Sequence, residues 1–134
     1  MKKYFILILL FLFASKSYSQ TLKVIENMEK SYKKCLDEGT NMHGCASYYY
    51  RQSDSILNVV YKKLRLKLNP DEKNKLKAEQ LTWLKKRDKY FDNEYSKLQK
   101  SEYLQEGSRD FEMIYYGIQS KFVMVRVKEL INRI

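Results

Sequence analysis

Cys35-LDEGTNMHG-Cys45 sets two cysteines ten residues apart around a segment with a glycine near each end, Gly39 and Gly44. Glycine just past one apolar stripe and just before another reads as a helix end, a tight turn and a helix start. A bridge between these cysteines would pin two antiparallel helices, and closing so short a loop stabilises a fold by roughly 2.5 to 3 kcal/mol in the chain-entropy picture. Whether the bridge forms depends on the compartment. A second reading makes Cys35, His43 and Cys45 metal ligands, but the loop offers no fourth. A redox role is weak because the pair is not Cys-x-x-Cys.

The amino terminus speaks to the compartment. Lys2 and Lys3 precede an uninterrupted apolar run, Tyr4 to Ala14, followed by the small or polar residues Ser15 to Ser19. Eleven apolar residues fall well short of the roughly 20 that span a bilayer, and Ser17 and Ser19 stand at the −3 and −1 places of a cleavage site before Gln20. Residues 1–19 are therefore expected to be a secretory signal peptide, and residues 20–134 the folded domain. No cysteine follows the cleavage site, so a lipid-anchored terminus is not expected, and no transmembrane anchor remains. The expected location is periplasmic or secreted, as a bacterial protein, where the cysteines meet an oxidising environment.

Of 134 residues, 26 are Lys or Arg and 16 are Asp or Glu. Lys2, Lys3 and Lys16 leave with the signal peptide, so the remaining chain carries +7. Export removes nucleic acid as a partner and leaves anionic envelope polymers, lipid headgroups or acidic proteins, against the bland alternative that the charge serves solubility. Four glycines and one proline exclude collagen-like and low-complexity chains. One histidine and two cysteines leave little for a nucleophilic triad or metal cage, so no enzyme and no cofactor is expected.

Periodicity predicts four helices. Ile25, Met28, Tyr32 and Cys35 draw one stripe from Leu22 to Leu36, and Tyr50, Asp54, Leu57, Tyr61, Leu64 and Leu68 draw a second that Asn69-Pro70 closes. A third helix opens at Asn69-Pro70-Asp71-Glu72, with a cap, a proline in the first turn and two acids at the positive end of the dipole. Its stripe is Leu81, Leu84, Asp88, Phe91, Tyr95 and Leu98, extending toward Leu104. Ser108 caps a last helix with Phe111, Ile114 or Tyr115, Ile118, Phe122 and Val125 inward, ending near Leu130. The expected fold is all-α, a small antiparallel bundle of about four helices with one disulfide.

Several words recur across these helices: Asp54-x-x-Leu57-Asn58-x-x-Tyr61-x-x-Leu64, then Gln80-x-x-Trp83-Leu84-x-x-Arg87-Asp88, and finally Arg126-x-x-Glu129-Leu130. Together with Cys35 and Cys45 this pattern resembles the lysozyme inhibitor LprI-like domain family of bacterial exported proteins, over nearly all of residues 20–134. The resemblance implies a small helical, disulfide-bearing, exported protein and, for some members, inhibition of lysozyme. Members often carry a second cysteine pair, one shortly after the Arg-Asp word and one in the last helix. Here Tyr90-Phe91 and Tyr115-Tyr116-Gly117 stand in those places, and packing of Phe91 on Tyr115 is expected to fill the space.

Asp54 and Arg87 are charges on or beside apolar stripes. An enzyme reading makes Asp54 or Asp88 a general acid or base with Asn58, Gln80 and Trp83 positioning a substrate. A structural reading pairs Asp54 with Arg87 and lets Asn58 and Gln80 satisfy the leftover donors, fixing helix register, and it is preferred because no nucleophile or metal ligand accompanies the acids. Trp83, one position off the stripe, is expected as a core-edge anchor. Successive residues Tyr48, Tyr49 and Tyr50 point about 100° apart on a helix, so they cannot all face one core, and Tyr48 and Tyr49 become a candidate contact patch.

The leading expectation is an exported, non-enzymatic binding protein acting on a protein partner, a lysozyme-type muramidase. Most animal lysozymes are strongly basic and would repel a +7 chain, unless an acidic patch around Glu102, Glu106, Asp110 and Glu112 reverses the sign locally. The alternative is an envelope-associated binder of acidic glycans or lipid headgroups through the lysine-rich faces of the second and third helices.

Overall fold

The computed structural model describes residues 2–134, with residues 2–18 by their backbone alone. Four helices follow in order: α1 (Lys2–Glu38), α2 (Met42–Lys67), α3 (Pro70–Gln99) and α4 (Arg109–Ile131). The described residues contain no strand, and the architecture is the expected all-α bundle with one disulfide. The signal-peptide reading of residues 1–19 falls almost entirely on side chains outside those described. Among the described residues no helix is long and apolar enough to cross a membrane.

The helix starts follow from local chemistry. The Asn69 side chain accepts from the Glu72 backbone N–H at 2.9 Å while the Glu72 carboxylate accepts from the Asn69 N–H at 2.9 Å, a reciprocal box that satisfies two orphan donors at the first turn of α3. Asn41 and Ser108 cap α2 and α4 one-sidedly, each side chain accepting from a backbone N–H, of Gly44 and of Phe111. Gly39 and Gly107 take the left-handed backbone that lets each connection reverse, with φ of 70° and 73°.

The chain runs up and down, but the central pair is α2 with α4, which share the most extensive interface. They run in the same direction: His43 reaches Glu112 at their starts, and Lys67 reaches the Ile134 carbonyl near their ends. Small residues allow the close approach. Ala46, Ser53 and Val60 recur every seven positions on α2 with no exposed surface, and Ser120, Val123 and Val127 are buried on α4. The buried hydroxyls of Ser53 and Ser120 donate to carbonyls one turn back, at 2.8 Å and 2.7 Å, so neither is left unsatisfied. The α1 helix packs on α2 and α3 on α4, leaving α4 between α2 and α3 along much of the bundle.

This placement corrects the expected stripes. On α2 the buried face is Cys45, Ala46, Tyr49, Ser53, Ile56, Leu57, Val60 and Leu64, rotated from the face through Tyr50, Asp54 and Tyr61, which are half-buried. On α4 the second half turns Val123, Met124, Val127, Leu130 and Ile131 inward, while Ile114 and Val125 are exposed. A helix packed on several neighbours is apolar over a wide arc, and a single stripe cannot be drawn on it. On α3 only Leu76 and Phe91 are buried; Leu81 is exposed. That helix also stops at Gln99 rather than near Leu104, because Glu106 accepts from Tyr95 Oη and Gln99 Nε2 and folds the following segment back on its last turn.

Candidate functional site

Three features of the described residues carry chemistry: the disulfide corner, the acidic end of the bundle and a groove between α3 and α4. At the corner, Cys35 and Cys45 are bonded with Cα atoms 5.9 Å apart, so both sulfurs are consumed and the metal reading with His43 fails. His43 instead lies 2.8 Å from a Glu112 carboxylate oxygen. Below the bridge, Tyr32 and Tyr49 stack with centroids 4.3 Å apart. Burial, then the nearby Glu29 and Tyr32, push the Tyr49 hydroxyl up to about 12. Of the expected contact patch, Tyr49 is thus turned inward, and only Tyr48 is exposed, accepting from Gln52 Nε2.

The α1–α2 turn and the α3–α4 connection share one end of the molecule, joined by His43–Glu112 and by Arg109 donating to Asn41 at 3.0 Å. Residues 92–112 hold six acids and three bases in a chain that is otherwise strongly basic, and exposed Asp37 and Glu38 end α1 beside the turn. Glu102, Glu106 and Asp110 are exposed, Glu112 is half-buried, and Tyr103 stands 93% exposed at the tip. The Tyr95 hydroxyl and the Gln99 amide hold Glu106 below the usual carboxylate range, so it stays charged while it shapes the loop.

The second and third motif words, Gln80 to Asp88 and Arg126 to Leu130, lie on α3 and α4, and the first, Asp54 to Leu64, on α2. Trp83 is half-buried, packed on Phe122 at 5.7 Å with the Arg87 guanidinium 5.8 Å from its ring. It packs against the edge of the core. Phe91 meets Tyr115 edge-on at 6.3 Å, and the Tyr115 hydroxyl donates to the Phe91 carbonyl at 3.4 Å, so an aromatic contact occupies the place where relatives are expected to carry a second bridge. Leu57 is buried, whereas Asn58 is exposed and donates to the Asp54 carbonyl within its own helix.

The expected Asp54–Arg87 pair is not formed. Arg87 donates from Nε and Nη2 to its neighbour Asp88 at 2.9 Å and 2.7 Å. The physical reason is the layout: α2 and α3 each pack chiefly on α4, and an adjacent carboxylate already meets the guanidinium. Asp54, Arg87 and Asp88 do act together on Tyr50, whose hydroxyl is raised mainly by burial and then by Asp54, with Arg87 opposing. Gln80 serves a different cation, accepting from Arg126 Nε at 3.2 Å.

Arg126 is the residue the periodicity missed. It is 9% exposed, donates from Nη1 to Glu129 at 3.1 Å, and leaves Nη2 with no hydrogen-bond partner. Its signal was the Arg126-x-x-Glu129 word inside an apolar run, a charge with no assigned partner. Beside it lies an open groove of about 830 Å³ lined by residues including Lys75, Glu79, Trp83, Lys86, Phe122 and Val125. Among the described residues no group of three or more His, Cys, Asp or Glu side chains could hold a metal.

No curated protein and no solved structure matches the chain. A family model does: the description is "Lysozyme inhibitor LprI", and the match runs over residues 28–130, from the disulfide hairpin through all three motif words. The chain belongs to the lysozyme inhibitor LprI family.

Proposed function

We propose that this chain is an exported, non-enzymatic binding protein that inhibits a lysozyme-type muramidase by occluding its cleft, and that it meets the enzyme with the acidic end of the bundle. The observation that carries the reading is the family match over residues 28–130 on an intact disulfide-pinned hairpin. A disulfide suits an oxidising compartment outside the cytoplasm. Charge supports the choice of surface: a strongly basic enzyme is repelled by most of this chain and attracted by Glu102, Glu106 and Asp110, which steers approach end-on. Tyr103 at the tip supplies the kind of large, amphipathic side chain on which binding energy concentrates.

The test is lysozyme turnover of cell walls with purified residues 20–134. Turnover falls with added protein to near zero at micromolar excess; unchanged turnover at that excess refutes inhibition. The alternative reading, an envelope binder of acidic glycans or lipid headgroups, draws on the exposed Lys62, Arg65, Lys77, Lys85 and Lys89. It requires sedimentation with envelope fractions at low salt that is lost at moderate salt.

A further inference from the structure

We propose that the groove between α3 and α4 binds a short peptide through its free C-terminal carboxylate, seated on Arg126. This site is separate from the acidic end and does not depend on muramidase inhibition.

The argument starts from charge. Four of the charged groups around the groove already have partners: Arg133 donates to Glu79 at 2.7 Å, and Arg126 donates to Glu129 at 3.1 Å. The lining residues Lys75 and Lys86 form no ion pair with a described residue and are exposed at the rim. The groove therefore presents uncompensated positive charge. At its wall the Arg126 guanidinium, nine-tenths buried, has Nη2 4.0 Å from the nearest Glu79 oxygen and without a hydrogen bond. Nη2 has almost no open surface, so a ligand oxygen reaches it as the half-exposed Glu79 side chain, already bonded to Arg133, swings aside. An unmade hydrogen bond on a buried guanidinium is costly, and a planar carboxylate is the group whose geometry best satisfies it.

The rest of the groove selects what carries the carboxylate. Ala78, Trp83, Phe122 and Val125 give it an apolar lining, and Val125 is 56% exposed, which suits aliphatic side chains. Its volume, about 830 Å³, lies within the range of about 300 to 1,000 Å³ that holds drug-sized ligands. A sugar is less suited, because the Trp83 ring already packs on Phe122 and carries the Arg87 guanidinium. A recessed Nη2 also favours a carboxylate on a narrow, flexible chain end over one fixed to a ring.

Trp83 is the only tryptophan in the chain, so its fluorescence reports occupancy directly. Titration of residues 20–134 with N-acetyl-alanyl-alanine, with the same peptide as its C-terminal amide, and with glucuronic acid separates the readings. The free acid is expected to change the Trp83 signal saturably, with at least about tenfold preference over the amide and over glucuronic acid. Arg126→Met is expected to abolish the preference for acid over amide. Lys75→Glu/Lys86→Glu, both exposed and safe for the fold, is expected to weaken the acid about tenfold and decides the matter if Arg126→Met does not fold. Equal binding of acid and amide, binding of glucuronic acid as tight as the peptide, or no response to millimolar peptide overturns the proposal.

Discussion

Replacing Arg126 discriminates between two ways in which a buried charge can matter. Breaking a buried ion pair costs about 3 to 5 kcal/mol when the stranded partner stays dry. Here the partners do not stay dry: the Glu129 and Glu79 side chains are 53% and 48% exposed, so water takes over their solvation. Arg126→Ala then loses two buried methylenes, about 1.6 kcal/mol at ~0.8 kcal/mol each, with a further contribution from the cavity left behind. The two charge-assisted hydrogen bonds to Gln80 and Glu129, worth at most about 1.5 to 3 kcal/mol each and less for the half-exposed Glu129, are largely offset by relief of the unsatisfied Nη2, about 3 kcal/mol or more for a charged group, and by rehydration of Glu129. The net expectation is a loss of about 2 kcal/mol for Arg126→Ala and near zero for Arg126→Met, which keeps the stem. Urea unfolding of residues 20–134 measures both, read from midpoints at constant slope. A Met variant as unstable as the Ala variant, or an Ala loss above about 4 kcal/mol, would place the stability in the polar network and refute the packing argument.

The remaining predictions concern the bridge, the buried tyrosine and the motif acids. Cys35→Ser/Cys45→Ser should lose about 2.7 kcal/mol for a loop of this length while keeping its helicity, and thiol labelling of the native protein should find no free cysteine; stoichiometric labelling contradicts the bridge. Tyr49 is raised from 10.0 to about 12 in the fold, so its contribution is complete below pH 10 and declines as pH climbs from 10 through 12. Thermal melts at pH 9 and 11 should therefore differ more for the wild type than for Tyr49→Phe, and equal differences contradict the assignment. Because Arg87 is held by Asp88 and meets Asp54 only around the Tyr50 hydroxyl, the stability losses of Asp54→Ala and Arg87→Ala should couple by less than about 1 kcal/mol; coupling of about 2 kcal/mol or more restores the direct cross-helix pair.

What the sequence disclosed and what it hid have one physical origin, the number of neighbours each helix has. The α1 stripe of Ile25 and Met28 is buried as its spacing predicts, because α1 packs on one side. The Asn69–Glu72 box is local chemistry, readable without tertiary context. The α4 helix sits between α2 and α3, is apolar through Val123, Met124, Val125 and Val127, and so offers no single phase to read. Arg126 was hidden in that run. Its partners Gln80 and Glu129 are distant and near in sequence, respectively, and only the fold shows that they share it. Likewise Asp54 and Arg87 look like partners on consecutive helices, and only the fold shows that Asp88 takes the guanidinium while all three charges converge on Tyr50.

The central claim is that the acidic end of this bundle occludes a muramidase, and the inhibition constants of wild-type residues 20–134 and of Glu102→Lys/Tyr103→Ala, measured side by side on lysozyme turnover of cell walls, test it most directly. Both substituted residues are exposed, so thermal stability should be unchanged. Micromolar or tighter inhibition by the wild type, weakened at least about tenfold in the variant, is the predicted result. Equal inhibition by both would contradict the assigned surface, and no inhibition by either would contradict the function.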